Sequence, residues 1–277
     1  MNLETALSRL AAVGTAQNRK VYPRHGIREP MFGVSFRELG RLQREIGEDD
    51  ELAEQLWATG NHDARMLATR IASPRRTTME RLTHWVVDVD NYVLADAVAA
   101  LAARCEDALE CLRAWWHLAD EWPSTVAFDL VQKLALEGKL DDVELETILE
   151  YIEHNIHGMA NRTRYAMNGA LIAIGGQSER LRAAAIAAAD RIGAVHVDHG
   201  ETGCQTPGAA DYIRKVAMYQ SERAKGHGAP LAAAKARQAA ARTGKTEARK
   251  TPAKKTPTKK TPIKKATRKA SPRKRPR

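Results

Sequence analysis

The sequence predicts an all-α fold, an antiparallel array of helical repeats that forms a curved solenoid. Apolar residues recur at helical spacing in successive segments, and pairs of such segments follow one another from residue 35 to residue 192. Alternating, strand-like spacing is confined to AVHVDHG (194–200), which is too short to found a sheet. Because repeat arrays of this kind curve, their concave face suits an extended ligand.

The first helices are delimited by capping residues and glycines. Residues 2–17 carry a helical stripe of leucines and are predicted to form one helix. The segment 17–35 is predicted to be a loop because it contains two prolines and two glycines. Ser35 and Glu38 form a capping-box pattern ahead of a helix that Gly47 is predicted to end.

Similar signals delimit the later helices. The capping-box pattern recurs at Thr77 with Glu80 and at Asp141 with Glu144, so a helix is predicted after each pair. Thr206 is the predicted N-cap of the last helix. Other predicted helices cover 91–103, 105–119, 122–137, 161–175, 178–192 and 207–222.

Charge divides the chain into an acidic body and a basic tail. Residues 223–277 hold 20 of the 44 Lys and Arg residues and a single acid, a net charge of +19, which leaves residues 1–222 at −9. We therefore predict two domains, a helical-repeat domain over 1–222 and a basic tail over 223–277.

The tail is predicted to be disordered and to bind polyanions. Its repeats TPAKK, TPTKK and TPIKK place a proline every five residues, which prevents a helix, and the density of like charge prevents collapse. In composition it resembles the tails of linker histones. A solvated tail that only aids solubility is the alternative. The lysines expected to contact phosphates are Lys254, Lys255, Lys259, Lys260, Lys264 and Lys265.

Several classes of protein lack support in the sequence. No run of 18 apolar residues exists and the N-terminus carries an acid, so we expect neither a membrane span nor a secretion signal. Cys105, Cys111 and Cys204 lack metal-ligand spacing, fit a reducing cytoplasm and are expected to be buried or half-buried. A metal could be held between His196 and Cys204, but a turn that fixes the last helix is favoured. We therefore predict no metal and no cofactor.

Three groups of side chains are candidates for a binding site. Tyr92 and Asp96 lie one helical turn apart, an aromatic ring beside a carboxylate, although a helix start also shows such a pair by chance. Arg162 and Arg164 lie at a helix N-terminus, where backbone N–H groups favour phosphate, and a solvated basic turn is the alternative. A second basic cluster, in the predicted loop, consists of Arg19, Lys20, Arg24, His25 and Arg28.

Four stretches carry a resemblance to a known family. They are YPRHGIREPMFGVSFREL, LWATGNHDARMLATRIASP, NRTRYAMNGALIAIG and VDHGETGCQTPGAADYI. Together they resemble the AlkD-like DNA alkylation repair family over about residues 5–220, and the tail lies outside the likeness. The resemblance implies an array of HEAT-like repeats that grips the DNA backbone in its concave groove. Characterised members are DNA glycosylases that remove cationic N3- and N7-alkylated purines without flipping the base into a pocket.

Two positions match the site that the resemblance implies. The family's aspartate falls on Asp96 and its aromatic residue on Tyr92, so Asp96 would stabilise the sugar cation and Tyr92 would pack on the sugar. Three positions differ from the family. The family's arginine falls on Thr125, its second tryptophan on Gly169 and a further arginine on Ile172. A threonine cannot neutralise a phosphate, and a glycine cannot stack on a sugar.

The predicted function is DNA binding of the alkylation repair type, through the backbone of double-stranded DNA. Excision of N3- or N7-alkylated purines is left open. The alternative is a non-catalytic HEAT-repeat scaffold that binds a DNA structure or a protein partner and is anchored to the nucleoid by its tail. The protein is expected to be a monomer, cytoplasmic and nucleoid-associated. A basic concave face would favour DNA, whereas an acidic one would favour a protein partner.

Overall fold

The computed structural model describes residues 1–224, which form thirteen α-helices and no strand. The predicted all-α fold is confirmed. The tail from residue 225, with its six candidate lysines, lies outside the described residues, and its expected disorder and DNA contacts stay predictions. Two 3₁₀ helices cover Tyr22–His25 and Ile156–Gly158. The α-helices are α1 (Leu3–Val13), α2 (Ala16–Val21), α3 (Phe36–Ile46), α4 (Asp50–Ala58), α5 (His62–Ile71), α6 (Met79–Val87), α7 (Tyr92–Ala102), α8 (Ala108–Trp115), α9 (Glu121–Leu136), α10 (Asp142–Asn155), α11 (Asn161–Gly175), α12 (Glu179–Ile192) and α13 (Ala209–Ala224).

The helices from α3 onward alternate between two layers. The inner layer consists of α3, α5, α7, α9, α11 and α13, and each of these helices packs against the next. The outer layer consists of α4, α6, α8, α10 and α12, and each packs against the inner helix that follows it in the chain. This alternation is the predicted antiparallel helical-repeat array. None of the helices within residues 1–224 has the length and apolar character needed to cross a membrane.

Tryptophans of the outer layer fix successive repeats to one another. Trp57, Trp85 and Trp115 come from α4, α6 and α8, and all three are buried. The rings of Trp57 and Trp85 stack with their centroids 4.3 Å apart and their planes 3° from parallel. The Trp57 indole also donates to a carboxylate oxygen of Asp88 at 2.9 Å. Such large buried rings stabilise the repeats and keep the inner helices in register.

The predicted helix over 2–17 is wrong in its extent. α1 ends at Gly14, and Thr15 caps a separate helix, α2, by accepting the N–H of Asn18 at 3.1 Å. The backbone carbonyl of Phe32 lies so close to Gly14 that no side chain fits there. The predicted loop over 17–35 therefore contains most of α2 and a 3₁₀ helix, and it returns to pack against the end of α1.

A single buried carboxylate anchors this returning segment to α5. Asp63 is 1% exposed and accepts the backbone N–H groups of Phe32, Gly33 and Val34 at 2.6, 2.8 and 2.9 Å. These three N–H groups would otherwise be buried without partners, because the segment pairs with no strand. Asp63 thus sets the path by which the chain enters α3.

The N-cap of α6 lies one residue later than predicted. Thr78 accepts the N–H of Arg81 at 3.3 Å, whereas Thr77 is buried and donates its hydroxyl to the carbonyl of Ser73 at 2.9 Å. By residue type, either threonine suits the N-cap position. The position of the preceding turn decides which of the two caps the helix.

The segment 193–208 differs from its predictions in three respects. Cys204 is exposed rather than buried or half-buried. The last helix begins at Ala209 instead of residue 207, and Thr206 does not cap it. The Thr206 hydroxyl is instead hydrogen-bonded to Nε2 of His199 at 3.0 Å.

Candidate nucleic-acid interface

A cleft of about 850 Å³ opens on the inner layer. Side chains of α3, α5, α7, α9 and α11 line it, together with residues from the end of α2 to Ile27. The cleft brings together Tyr92, Asp96, Thr125 and Arg162, which come from three different helices. Side chains that lie far apart in the sequence are therefore neighbours in the fold.

Tyr92 is held on two sides by other cleft residues. It is the first residue of α7, after Asn91, whose side chain accepts the N–H of Leu94 at 3.0 Å. Its hydroxyl is hydrogen-bonded to Nδ1 of His25 at 2.6 Å, and the guanidinium of Arg162 lies 4.2 Å from its ring centroid. Burial raises the pKa of the Tyr92 phenol, although Arg162 lowers it, so the hydroxyl stays protonated at neutral pH.

Asp96 presents its carboxylate to the open part of the cleft. The side chain is 66% exposed, one turn after Tyr92 on α7. Lys133 of α9 donates to Oδ1 of Asp96 at 2.7 Å. Because this pair is largely exposed, it contributes little to stability, and the carboxylate is accessible to a ligand.

A second carboxylate, Asp129, was not recognised from the sequence. It lines the cleft one turn before Lys133 on α9 and is half-buried, and Gln132 donates to its Oδ1 at 3.0 Å. Burial and then the nearby charge of Asp96 raise the pKa of Asp129 to about 7, against the opposing effect of Lys133. Asp129 is therefore only partly ionised near neutral pH. In the sequence, the sign of this site is that Asp129 lies one helical turn before Lys133. An acid and a lysine at that spacing are common on exposed helices, so the pair does not indicate a site by itself.

The positions that depart from the family pattern have their own packing. Thr125 is buried, and its hydroxyl donates to the carbonyl of Glu121 at 2.6 Å. A Cβ placed on Gly169 would lie 2.6 Å from Oε1 of Gln132, so Gln132 fills the space that a larger side chain would need. Ile172 is half-buried and packs against the core. A larger side chain at Gly169 would therefore require Gln132 to move.

Arg162 and Arg164 differ in their relation to the cleft. Arg162 lines the cleft and directs its guanidinium to Tyr92, whereas Arg164 does not line it. The backbone N–H of Arg162 donates to Oε1 of Glu121 at 2.8 Å. Glu121 thus already occupies one N–H group of this helix N-terminus, and phosphate binding by Arg162 and Arg164 stays a prediction. The side chain of Arg162 remains as the candidate contact.

The basic segment before α3 borders the cleft. Its residues Tyr22, His25 and Ile27 contribute to the lining. The four remaining basic residues of the predicted cluster are all exposed and lie outside the lining. They are Arg19, Lys20, Arg24 and Arg28.

Within residues 1–224, the arginines of the cleft and of the outer layer differ in their partners. Arg70, Arg104 and Arg162 line the cleft and have no carboxylate within 4.0 Å among these residues. The exposed basic residues that border the cleft also lack a carboxylate within 4.0 Å among residues 1–224. They are Arg19, Lys20, Arg24 and Arg28. In the outer layer, several arginines form ion pairs with an acid of the neighbouring outer helix, namely Arg81, Arg113, Arg180 and Arg191.

The acids of the cleft leave these cleft arginines unneutralised. Asp63 is used by three backbone N–H groups, and Asp96 is paired with Lys133. The pKa of Asp129 is raised to about 7, so it carries only part of a charge. Once Lys133 offsets Asp96 and Asp129 carries only part of its charge, the three arginines outweigh the remaining acids, so the formal charge of the cleft is slightly positive although the body as a whole is acidic.

Comparisons with known proteins agree with this architecture. The chain is 27% identical over 216 residues to an uncharacterized protein of Listeria innocua, covering 74% of this chain and 93% of that protein, and a Listeria monocytogenes protein gives the same values. It also matches a solved structure described as "a new family of proteins related to the HEAT-like repeat DNA glycosylases with affinity for branched DNA structures". That match has a TM-score of 0.72 and 26% identity, and covers 82% of this chain and 96% of the other. The model of the family described as "DNA alkylation repair enzyme" matches residues 6–213. The chain therefore belongs to the DNA alkylation repair enzyme family, built on the HEAT-like repeat fold that its sequence predicts.

Proposed function

We propose that this protein binds DNA in the cleft of its inner layer, with the phosphate backbone held by arginine side chains. The observation that carries the proposal is the difference between the arginines of the cleft and those of the outer layer. The cleft arginines Arg70, Arg104 and Arg162 have no carboxylate partner within residues 1–224, whereas outer-layer arginines such as Arg180 form ion pairs. A polyanion supplies the missing partner, and the planar guanidinium suits phosphate oxygens.

The basic residues at the edge of the cleft extend this surface. Arg19, Lys20, Arg24 and Arg28 are exposed on the segment that also contributes His25 to the lining. DNA lying in the cleft would run across this segment and gain further phosphate contacts. These contacts carry no sequence information, so the expected binding depends on DNA shape rather than base sequence.

The kind of DNA is suggested by the solved relative. That protein is described as having affinity for branched DNA structures, and the two chains share their fold over most of their lengths. We therefore propose that the cleft prefers DNA in which the duplex is interrupted. A protein partner is the weaker alternative, because an acidic cleft would favour it and the cleft is positive. The predicted tail over 223–277 would add non-specific affinity and hold the protein at the nucleoid.

Replacing Arg162 tests the cleft as the binding surface. We expect Arg162→Gln to weaken binding to duplex and four-way-junction DNA by about tenfold, since a charge-assisted hydrogen bond contributes roughly 1.5–3 kcal/mol. Fluorescence anisotropy with labelled DNA at fixed salt measures this. Arg180→Gln is the matched control, because Arg180 is an exposed arginine of the outer layer that is paired with Glu146 and Asp142. Equal losses in the two variants would contradict binding in the cleft.

Glycosylase activity is a second candidate function. The supporting observation is that Asp96 presents an exposed carboxylate in the same cleft as Tyr92, and that Arg162 lies against Tyr92. A cationic N7-alkylated purine is already a good leaving group, so a carboxylate near the sugar would stabilise the developing oxocarbenium ion. Arg162 would then supply the positive charge that the family's arginine provides at the position of Thr125. The ring of Tyr92, however, is covered by Arg162 on one face, which limits its packing on a sugar.

Base release from duplex DNA containing N7-methylguanine tests this candidate. If the protein is a glycosylase, Asp96→Asn should slow release by about a hundredfold or more, because the variant keeps the shape of the side chain but loses its charge. Asp211→Asn is the control, since Asp211 lies exposed on α13, outside the cleft. Wild-type protein that releases no base excludes the enzyme and leaves the DNA-binding proposal standing.

A further inference from the structure

We infer that the cleft contains a stacking site for an unpaired nucleobase, formed by the ring of Phe36 with Arg70 beside it. The inference rests on the proposed DNA binding and states which feature of an interrupted duplex the cleft would hold. Both residues line the cleft, on the neighbouring inner helices α3 and α5.

Phe36 is placed in the cleft with its ring open to solvent. It is the first residue of α3 and is 59% exposed, whereas Leu39 and Leu42 of the same helix are buried. Phe36, Leu39 and Gln43 share one face of α3, and all three line the cleft. The ring is therefore directed into the cleft rather than into the core between the layers.

The other aromatic rings of the cleft are already paired. Tyr22 lies against His62, Tyr92 against His25, and Tyr165 against His199, with centroid distances between 5.3 and 6.2 Å. Phe36 has no aromatic neighbour of this kind among residues 1–224, and it has no polar atom that needs a partner. It is thus the most exposed ring of the cleft, and apart from the side approached by Arg70 it is open to an incoming base.

Arg70 completes the site with a positive charge. Its guanidinium carbon lies 5.6 Å from the centroid of Phe36, at a distance that permits a cation–π contact. The Nε atom of Arg70 is buried and has no hydrogen-bond partner among the described residues. The terminal amino groups of the guanidinium, which are not among the buried atoms, would donate to a sugar or phosphate oxygen of the stacked nucleotide.

This combination selects an unpaired base over a paired one. A base within a duplex has both faces covered by its neighbours, so it must leave the stack before it can lie on Phe36. Every base has a flat apolar face, and stacking on an aromatic ring is accordingly tolerant of sequence. The site would recognise a bulged nucleotide, or one displaced at a branch point, without reading its identity.

Phe36→Ala tests the inference on two DNA molecules that differ by a single unpaired 2-aminopurine. We expect the substitution to weaken binding to the bulged duplex by about ten- to a hundredfold, while binding to the perfect duplex changes little. Wild-type protein should change the fluorescence of the 2-aminopurine, and Phe36→Ala should not. Phe36→Trp keeps an aromatic face and should retain both properties. Tyr219→Ala, which removes a 50% exposed aromatic ring from α13, is the matched control and should behave as wild type.

The outcomes separate this inference from the function on which it rests. If wild-type protein binds neither DNA, the proposed function is wrong and the inference falls with it. If wild-type protein binds both molecules and Phe36→Ala changes neither affinity, the inference alone is wrong. A loss that is equal on the perfect and bulged duplexes also overturns it, because Phe36 would then serve duplex binding in general.

Discussion

Removing residues 250–277 is expected to flatten the salt dependence of DNA binding. This deletion takes away 13 Lys and Arg residues and no acid. Each phosphate that a basic residue neutralises releases condensed counterions, and the slope of log affinity against log salt grows with the number of such contacts. If about six tail residues contact phosphates, the factor by which they raise the binding constant falls by about a thousandfold between 50 and 200 mM salt. The shortened protein should lose far less over that range.

Affinities measured at a series of salt concentrations provide this test. A full-length variant in which the order of residues 250–277 is scrambled is the control for composition. It should bind as the wild type does, because contacts to the backbone carry no sequence information. Substituting glutamine for the 13 basic residues should reproduce the deletion. A slope that is the same with and without residues 250–277 would show that the tail does not contribute to the affinity.

The helical fold is predictable because its causes are local. The apolar stripe of each helix and the capping residues act within a few positions, so patterns such as Asp141 with Glu144 identify a real capping box. The predicted helix ends are wrong where contacts between residues that are not neighbours in the sequence fix the end of a helix. The carbonyl of Phe32 lies against Gly14 and ends α1, and the hydroxyl of Thr206 bonds to His199 instead of capping α13. Neither contact leaves a pattern in the neighbouring sequence.

The candidate site is only partly predictable for the same reason. The family resemblance selected Tyr92 and Asp96, and both lie in the cleft, with Arg162 beside them. It could not show that Asp96 pairs with Lys133, or that His25 bonds to the Tyr92 hydroxyl, since these partners are 37 and 67 residues away. The functional role of all these residues stays a prediction.

Thr125 and Gly169, the positions that depart from the family pattern, both lie where α9 and α11 meet. Gln132 occupies the space beside Gly169 and donates to Asp129, while the hydroxyl of Thr125 turns to the carbonyl of Glu121. Glu121 in turn binds the N-terminal N–H of α11, next to the Arg162 side chain. The wall therefore has Thr125 and Gln132 where the family pattern has larger side chains, and its arginine comes from α11 instead of α9. This favours a binding surface over a copy of the family's catalytic site.

Asp63→Ala is expected to lower the free energy of unfolding by about 4 kcal/mol, the largest effect of any single substitution proposed for this domain. The carboxylate is buried and accepts three backbone N–H groups, and each buried donor left without a partner costs about 1–3 kcal/mol. Water that enters the vacated space would recover part of this cost. Urea denaturation followed by the helical circular dichroism signal measures the change.

Asp63→Asn should be less severe than Asp63→Ala, at about 2 kcal/mol, because one oxygen remains to accept while the new NH₂ group faces the N–H donors. Asp211→Ala, which removes a carboxylate that is 91% exposed, is the control and should change the stability by less than about 0.5 kcal/mol. A loss below about 1 kcal/mol for Asp63→Ala would contradict the role of Asp63 as the anchor of the returning segment.

The contacts of Asp63 also link the stability of the domain to DNA binding. The segment that Asp63 holds carries the basic residues beside the cleft and leads directly into Phe36, so the loosened protein should also bind DNA more weakly below its unfolding transition.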